Sequence, residues 1–268
     1  MHLVRVVLLA LPLVAASALA QASAKEPPPI ADNSFLVEEA YNQEAGVVQH
    51  IGSYRRAPGG AWLFTFTQEW PAPSQRHQLS YTVGVLSADG AGTGLGDLAL
   101  NYRYQLLGRD DERVWFAPRL TAILPTGDPS ADRGLGGPGV QVNLPVSVEV
   151  ASTLVTHWNV GATATRARNM QGDRRSLRSL SAAASAIWLA APSFNVMLES
   201  IWESNESFDP VLLTRTDARV TIMPGIRGAI NLASGMQIVP GIGVPFVMST
   251  GRTERDLFLY FSVEHSFR

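Results

Sequence analysis

The sequence predicts an all-β transmembrane antiparallel barrel of about 12 strands, with short periplasmic turns and longer extracellular loops. Three observations predict it. Apolar and polar side chains alternate strictly, segment after segment, from residue 47 onward. Most alternating segments run 10 to 14 residues, where strands of soluble proteins run ~5–6 and strands crossing a bilayer at a tilt need ~9–11. Charged residues are only 16% of the chain although apolar content is an ordinary 46%, against about 25% charged in a typical soluble domain. Such a chain either has a deep interior or a surface that does not face water.

The elements follow in order. Residues 1–20 read as a secretory signal peptide: a basic start ending at Arg5, an apolar run from Val6, and the small-x-small site Ala18-Leu19-Ala20. The apolar stretch is too short for a membrane helix, which needs ~20 residues. Residues 21–46 form a Pro-rich, then acidic periplasmic segment. Its "PPP" argues for extended chain, and "SFLVEEAY" for a short helix. Residues 47–268 form the outer-membrane barrel.

Twelve segments carry the alternation: 47–54, 61–70, 77–87, 94–107, 113–125, 140–150, 154–166, 177–190, 194–203, 217–229, 236–247 and 256–267. In the second half the gaps alternate in length. Residues 126–139, 167–176 and 204–216 are long, whereas 151–153 and 191–193 are three residues each. That sorting is the habit of outer-membrane barrels. An even strand count brings both termini to the periplasmic side.

Parity assigns the faces. The lumen set is Glu69, Asp97, Asn101, Arg103, Arg119, Gln141, Asn143, Glu149, His157, Asn159, Glu199, Glu203, Arg227 and Glu264. Both signs occur, so the lumen is either a polar pore tuned by charge or a barrel plugged by its own Arg–Glu network. Trp62, Trp70, Tyr102 and Tyr104 fall near segment ends or on the outer face, as interfacial girdle residues do. The last segment turns Leu259, Phe261, Val263 and Phe267 to lipid and closes the barrel. An aromatic end residue is what the barrel-assembly machinery reads, and here Arg268 follows it. The expected partners are outer-membrane lipid, that machinery and an unidentified small solute.

Several function classes are excluded. A net charge of −2 offers no basic field for nucleic acid, and the absence of cysteine removes thiol catalysis, thiolate metal sites and a lipid anchor. No cofactor is implied. His50, His77 and His265 lack ligand spacing, so no metal site is expected. The glycines at 92–96 lie between strands with no helix after them, which excludes a nucleotide loop. Asp128 and Asp132 lack the periodicity of a calcium loop; their loop is a solvated one, an inward constriction or a rim cation site. The stretch "HWNVG" is similar to the His-x-Ser…Asn-Gly of outer-membrane phospholipase A. Asn159 stands where that enzyme has its nucleophile, and parity puts His157 inside, so no enzyme is expected.

The stretches "NSFLVEEAYNQEAGVVQHI", "GDLALNYRYQL", "PRLTAILPTGD", "GVQVNLPVSVEV" and "HWNVGAT" together resemble the bacterial barrel family labelled MetA-pathway of phenol degradation. The resemblance implies a transporter of small solutes, with apolar or aromatic compounds suggested by the label. A non-conducting barrel with a structural or partner-binding role is the alternative, and a lipid-modifying enzyme a remote third. Residues 35–41 could enter the periplasmic mouth and gate the pore, or merely tether or cap it.

Overall fold

The computed structural model describes residues 30–88, 92–108, 112–168, 172–209 and 213–266. The stretch expected as a signal peptide, residues 1–20, and the last two residues, Phe267 and Arg268, lie outside the described residues. Twelve strands close one antiparallel barrel: β1 (Val47–Arg56), β2 (Trp62–Pro71), β3 (His77–Ser87), β4 (Thr93–Leu95 with Leu98–Tyr104), β5 (Val114–Phe116 with Arg119–Leu124), β6 (Gly139–Asn143 with Val146–Ala151), β7 (Leu154–Arg168), β8 (Arg174–Ala191), β9 (Phe194–Asp209), β10 (Leu213–Gly228), β11 (Gln237–Gly243 with Phe246–Ser249) and β12 (Arg252–Arg255 with Leu257–Ser266). The seam is β1 on β12, in register from Val47 opposite Ser266 to Arg56 opposite Leu257.

The breaks inside β5, β6 and β11 have a common cause. Pro118, Pro145 and Pro245 have no N–H to give to the ladder, so pairing lapses beside each. Neighbouring backbone repairs part of the loss: Ala117 donates to the Pro145 carbonyl at 3.3 Å, and Asp256 to that of Pro245 at 2.9 Å.

Which face turns inward follows from the period of two. On β7, Val155, His157, Asn159, Thr165 and Ala167 are buried, whereas Trp158, Val160, Ala162, Ala164, Arg166 and Arg168 are exposed. The sense is inverted relative to a soluble protein, because the exposed set is the apolar one. Leu100, Leu120, Val142, Val160, Leu198, Ile226, Ile242 and Phe261 all stand 42–60% exposed on the outside. Aromatic rings mark both ends of this band. Tyr54 packs on Trp62 at 5.9 Å between centroids at one end, and Trp70 on Tyr81 at 6.2 Å and His77 on Tyr102 at 5.9 Å at the other. Leu259, Phe261 and Val263 lie on the outer face of β12, as parity requires.

A charge on that face is expected to be costly. Phe261→Arg should lower stability by about 2–4 kcal/mol near the bilayer midplane, read by urea unfolding in lipid vesicles. Ser262→Ala, on the inner face, is the control. Equal stability of the two variants would show that Phe261 does not meet hydrocarbon.

Two local findings differ from the sequence reading. The strands run further than the alternation marks. Residues 167–176 and 204–216, expected as loops, are entered by strand from both sides: β7 runs to Arg168 and β8 starts at Arg174, and β9 runs to Asp209 and β10 starts at Leu213. Above the hydrocarbon both faces of a strand meet water, so the apolar signal fades while the ladder persists. Second, "SFLVEEAY" forms no helix; its N–H groups go to wall side chains instead of to its own carbonyls. In the loop of Asp128 and Asp132, no group of three or more metal-ligating side chains comes together among the described residues. Asp128 caps a 3₁₀ turn (Pro129–Ala131) and pairs with Arg133 at 3.2 Å. Its hydrogen bonds from Ser130, with Arg133 beside it, hold its carboxyl below the usual value.

Candidate functional site

Geometry alone sets the problem the lumen must solve. Strands ~4.8 Å apart, tilted ~40° and twelve around, give a backbone radius of about 12 Å. Inward side chains reach ~5–6 Å, leaving a bore about as wide as one extended polypeptide. Residues 30–46 occupy it, holding to the wall largely through their backbone.

The N–H groups find wall acceptors in sequence. Phe35 and Leu36 donate to the Glu199 carboxylate at 2.7 and 3.2 Å, Glu38 to Asn159 Oδ1 at 2.8 Å, and Ala40 to Ser147 Oγ at 2.8 Å. Asn42 donates to Gln105 Oε1 at 3.1 Å and Gln43 to Gln78 Oε1 at 2.7 Å. The carbonyls find wall donors. Ala31 accepts from Asn195 at 3.0 Å and from Arg227; Glu38 accepts from Asn159 at 2.7 Å, and Ala40 from Gln105 at 2.9 Å. Glu39 and Tyr41 accept from Arg103 at 3.0 and 2.6 Å. Extended chain in a sheet-walled tube has no ladder of its own, so the wall must supply partners. The inward Asn, Gln, Ser and Glu side chains are those partners.

Two contacts fix the segment's position. The first is ionic. The Glu38 carboxylate lies 3.2 Å from Arg103 and 3.0 Å from Arg119, and accepts from Asn143 at 2.6 Å. Arg103, only 3% exposed, also faces Glu39 at 3.6 Å. Such an anchor is costly to break one-sidedly, because an uncompensated charge stays behind. The second is apolar. The Phe35 ring packs on Phe258 at 5.4 Å and Tyr260 at 5.0 Å between centroids, with Met223, Val239 and Ile51 in the same cluster. Gly225 and Gly241, on adjacent strands, make this niche. A Cβ at either would come within 2.6 Å of the Phe35 ring. Gly241→Leu should therefore expel Phe35, and a glutamate-specific protease should then cut at Glu38 and Glu39, which it spares in the wild type. Unchanged protection would mean that the niche does not hold the segment.

His157 is part of this seat. Its Nε2 faces the Asp32 carbonyl at 2.9 Å and its Nδ1 the Ser147 hydroxyl at 2.7 Å. Nε2–H donating to Asp32 leaves Nδ1 to accept from Ser147. Both side chains are fully buried, and Ser147 in turn holds the Ala40 N–H. Tyr41 donates to Asp32 Oδ1. Burial, with Asp32 and Glu39 beside it, pushes the Tyr41 hydroxyl well above the ordinary phenol value, so it stays a donor.

The residues named from parity fall into three groups. Arg103, Arg119, Asn143, His157, Asn159, Glu199 and Arg227 touch the segment. Glu69 and Glu264 close a chain of amides beneath it: Gln78 donates to Glu69 at 2.7 Å, and Gln49, held by Gln43, donates to Glu264. The rest face the lumen elsewhere. Asn101 bridges Ser80 and Thr121, Gln141 joins Thr163, and Glu203 pairs with Arg219 at 2.7 Å. Asp97 accepts from the Gly127 and Leu135 N–H groups at 3.0 Å each and folds the loop over the rim. Glu149 is half-buried and away from the segment. Sequence reasoning passed over Gln49, Gln78, Gln105, Ser147, Ser185 and Asn195, which share the inward parity and could have been found by it. It also passed over Gly225 and Gly241, whose role no local pattern signals.

Two polar cavities flank the segment. One of about 370 Å³ opens at the periplasmic mouth between Asn33, Glu39, Tyr41 and the Gln237–Glu264 wall. The other, about 340 Å³, lies at the extracellular mouth among Asn205, Asp217, Arg219, Ser249 and Glu254.

An apolar outer band, ringed by aromatics around a polar lumen, defines an outer-membrane β-barrel. Two solved structures share its fold. An outer membrane channel from Pseudomonas putida F1 superposes with a TM-score of 0.63 at 13% identity, over 85% of this chain and 98% of that one. The NanC porin does so with a TM-score of 0.51 at 10% identity, over 82% and 99%. At these identities the likeness is one of fold. No protein-family model and no curated protein matches the sequence.

Proposed function

We propose that the protein is a channel for small solutes whose N-terminal segment closes the lumen reversibly. One observation carries this reading. The closure is a separate stretch of chain that joins the wall at Val47 and is held, among the described residues, by hydrogen bonds, one ionic anchor and one ring, rather than by wall side chains interlocked across the bore. Removing residues 30–46 leaves a polar tube with cavities already present at both ends. The solved channels of the same fold support the reading as analogy.

The solute is read from the niche. Phe35 puts a phenyl ring between Gly225, Gly241, Phe258 and Tyr260, deep in an otherwise polar lumen. A small aromatic molecule fits the same place once the segment leaves. The resemblance to the MetA-pathway barrels points the same way. Phe35→Ala should make phenol block or slow the ion current, and Gly241→Leu in the same background should abolish that block. No effect of phenol on the Phe35→Ala current would remove the aromatic reading while leaving the channel intact.

A non-conducting barrel is the second reading, and the density of the seat favours it. Single-channel recording of refolded, heat-modifiable protein in a planar bilayer separates the two. Discrete steps support the channel. Silence, both in the full chain and after removal of the segment, supports a structural barrel. The Ser147 hydroxyl beside His157 is used within the seat, where it holds the Ala40 N–H while His157 faces the Asp32 carbonyl.

A further inference from the structure

The β7–β8 hairpin carries an arginine cluster on its outer face that the channel reading does not use. Arg166, Arg168, Arg174 and Arg178 all have outward parity and are exposed. Arg168 stands directly opposite Arg174 in the ladder. Like charges so placed destabilise the pair of strands. No ion pair joins any of the four to a carboxylate among the described residues. Glu206 is the nearest outward acid on β9, and its carboxylate is engaged by the Arg178 backbone N–H at 2.9 Å. Among the described residues, then, no ion pair offsets the cluster's charge.

Its height decides what the counter-charge is. Arg178 lies ten residues along β8 from Trp188, on the same face. At ~3.3 Å per residue and ~40° tilt, that is about 25 Å along the membrane normal, the height of the apolar band of an outer-membrane barrel. The arginines stand at the headgroup level of the outer leaflet. Directly below them the outer face is hollow. Ala182, Ala184 and Ser200 form the floor, and Trp158, Val160 and Trp202 the sides, of an apolar groove of about 340 Å³. Outward alanines give lipid a channel where neighbouring strands present leucine and tryptophan.

We propose that this face is a binding site for a phosphorylated glycolipid of the outer leaflet, of the lipid A kind. Its phosphates lie on the four arginines and one acyl chain in the groove. Guanidinium groups suit phosphate because their fork of N–H donors matches its oxygens. The charge and the groove are independent features of adjoining strands, and a phosphate-bearing lipid satisfies both.

The test uses full-length protein refolded in a neutral detergent, with diphosphorylated lipid A as the probe. Binding is followed by native mass spectrometry and by tryptophan fluorescence, since Trp158 and Trp202 flank the groove. The wild type should retain one lipid A, and removing both phosphates from the lipid should abolish retention. The quadruple change R166Q/R168Q/R174Q/R178Q should weaken binding at least about a hundredfold, at roughly fivefold per arginine near a charged surface. Ala184→Leu, which fills the groove and leaves the charges, should weaken it about tenfold, the scale of a lost apolar contact. Should the quadruple variant fail to fold, Arg168→Gln and Arg174→Gln singly should each cost about fivefold. Equal affinity of wild type and the arginine variants overturns the site. Competition by 10 mM inorganic phosphate as strong as that by lipid A, with Ala184→Leu unaffected, overturns the lipid as the occupant.

Discussion

Deleting residues 25–45 is expected to raise single-channel conductance several-fold and to lengthen open time. The segment fills most of a bore left by a backbone radius of about 12 Å. Its partners are amides, hydroxyls, carboxylates and the guanidinium groups of Arg103, Arg119 and Arg227 on the barrel strands. Once unmasked they are satisfied by water, so the barrel stays folded and open. The measurement compares full-length and deleted protein, both shown folded by heat-modifiable migration, in the same planar bilayers. An identical conductance would mean that ions pass beside the segment, or not at all, and the gating idea fails. A larger conductance with unchanged ion preference would locate selectivity in the wall, at Arg55, Asp256, Glu203 and Arg219. These wall groups pair as Arg55 with Asp256 at 2.6 Å and Arg219 with Glu203 at 2.7 Å.

The second large effect is expected from one atom group. Glu38→Ala removes the carboxylate that faces Arg103, Arg119 and Asn143. Truncating one side of a buried ionic contact costs about 3 kcal/mol, or about two powers of ten in the balance between seated and free segment. Arg103 keeps Glu39 at 3.6 Å, which places the estimate at the lower end of that range. Glu38→Gln keeps the size and the hydrogen bond from Asn143, so it should lie between. Current traces should change from long closed periods to frequent openings in the order wild type, Gln, Ala. If Glu38→Ala gates like the wild type, the backbone bonds and Phe35 alone hold the segment. A double change of Glu38 and Arg103 to alanine tests the same contact differently. The effects of the two single changes should not add, because both remove the one Glu38–Arg103 contact.

Much of this architecture was legible in the sequence. The alternation marked all twelve wall strands, because a strand between lipid and a wet lumen has two unlike faces at every position. It misjudged 167–176 and 204–216 for the same reason, since there the two faces become alike. It gave the inward parity of Arg103, His157 and Glu199, because parity is a local property. What these side chains bind was not local. The Ser34 hydroxyl meets that of Ser185 across 151 positions, and Phe35 meets Glu199 across 164. A helix at "SFLVEEAY" was the reasonable local reading of Leu36, Glu38, Glu39 and Ala40. The wall overrode it by offering each N–H a better-placed oxygen than the segment could offer itself. Gly225 and Gly241 carry no local signal, and their use is visible only against the Phe35 ring that arrives from elsewhere.

The long reach of the segment has a consequence for biogenesis. Residues 30–46 emerge ahead of every strand they touch, and their seat spans β3 to β10 and the β12 face at Phe258 and Tyr260. That seat does not exist until β12 has paired with β1. The place for the Phe35 ring is therefore completed only by the last strand, whereas most of the hydrogen-bond partners of the segment lie on strands made before it.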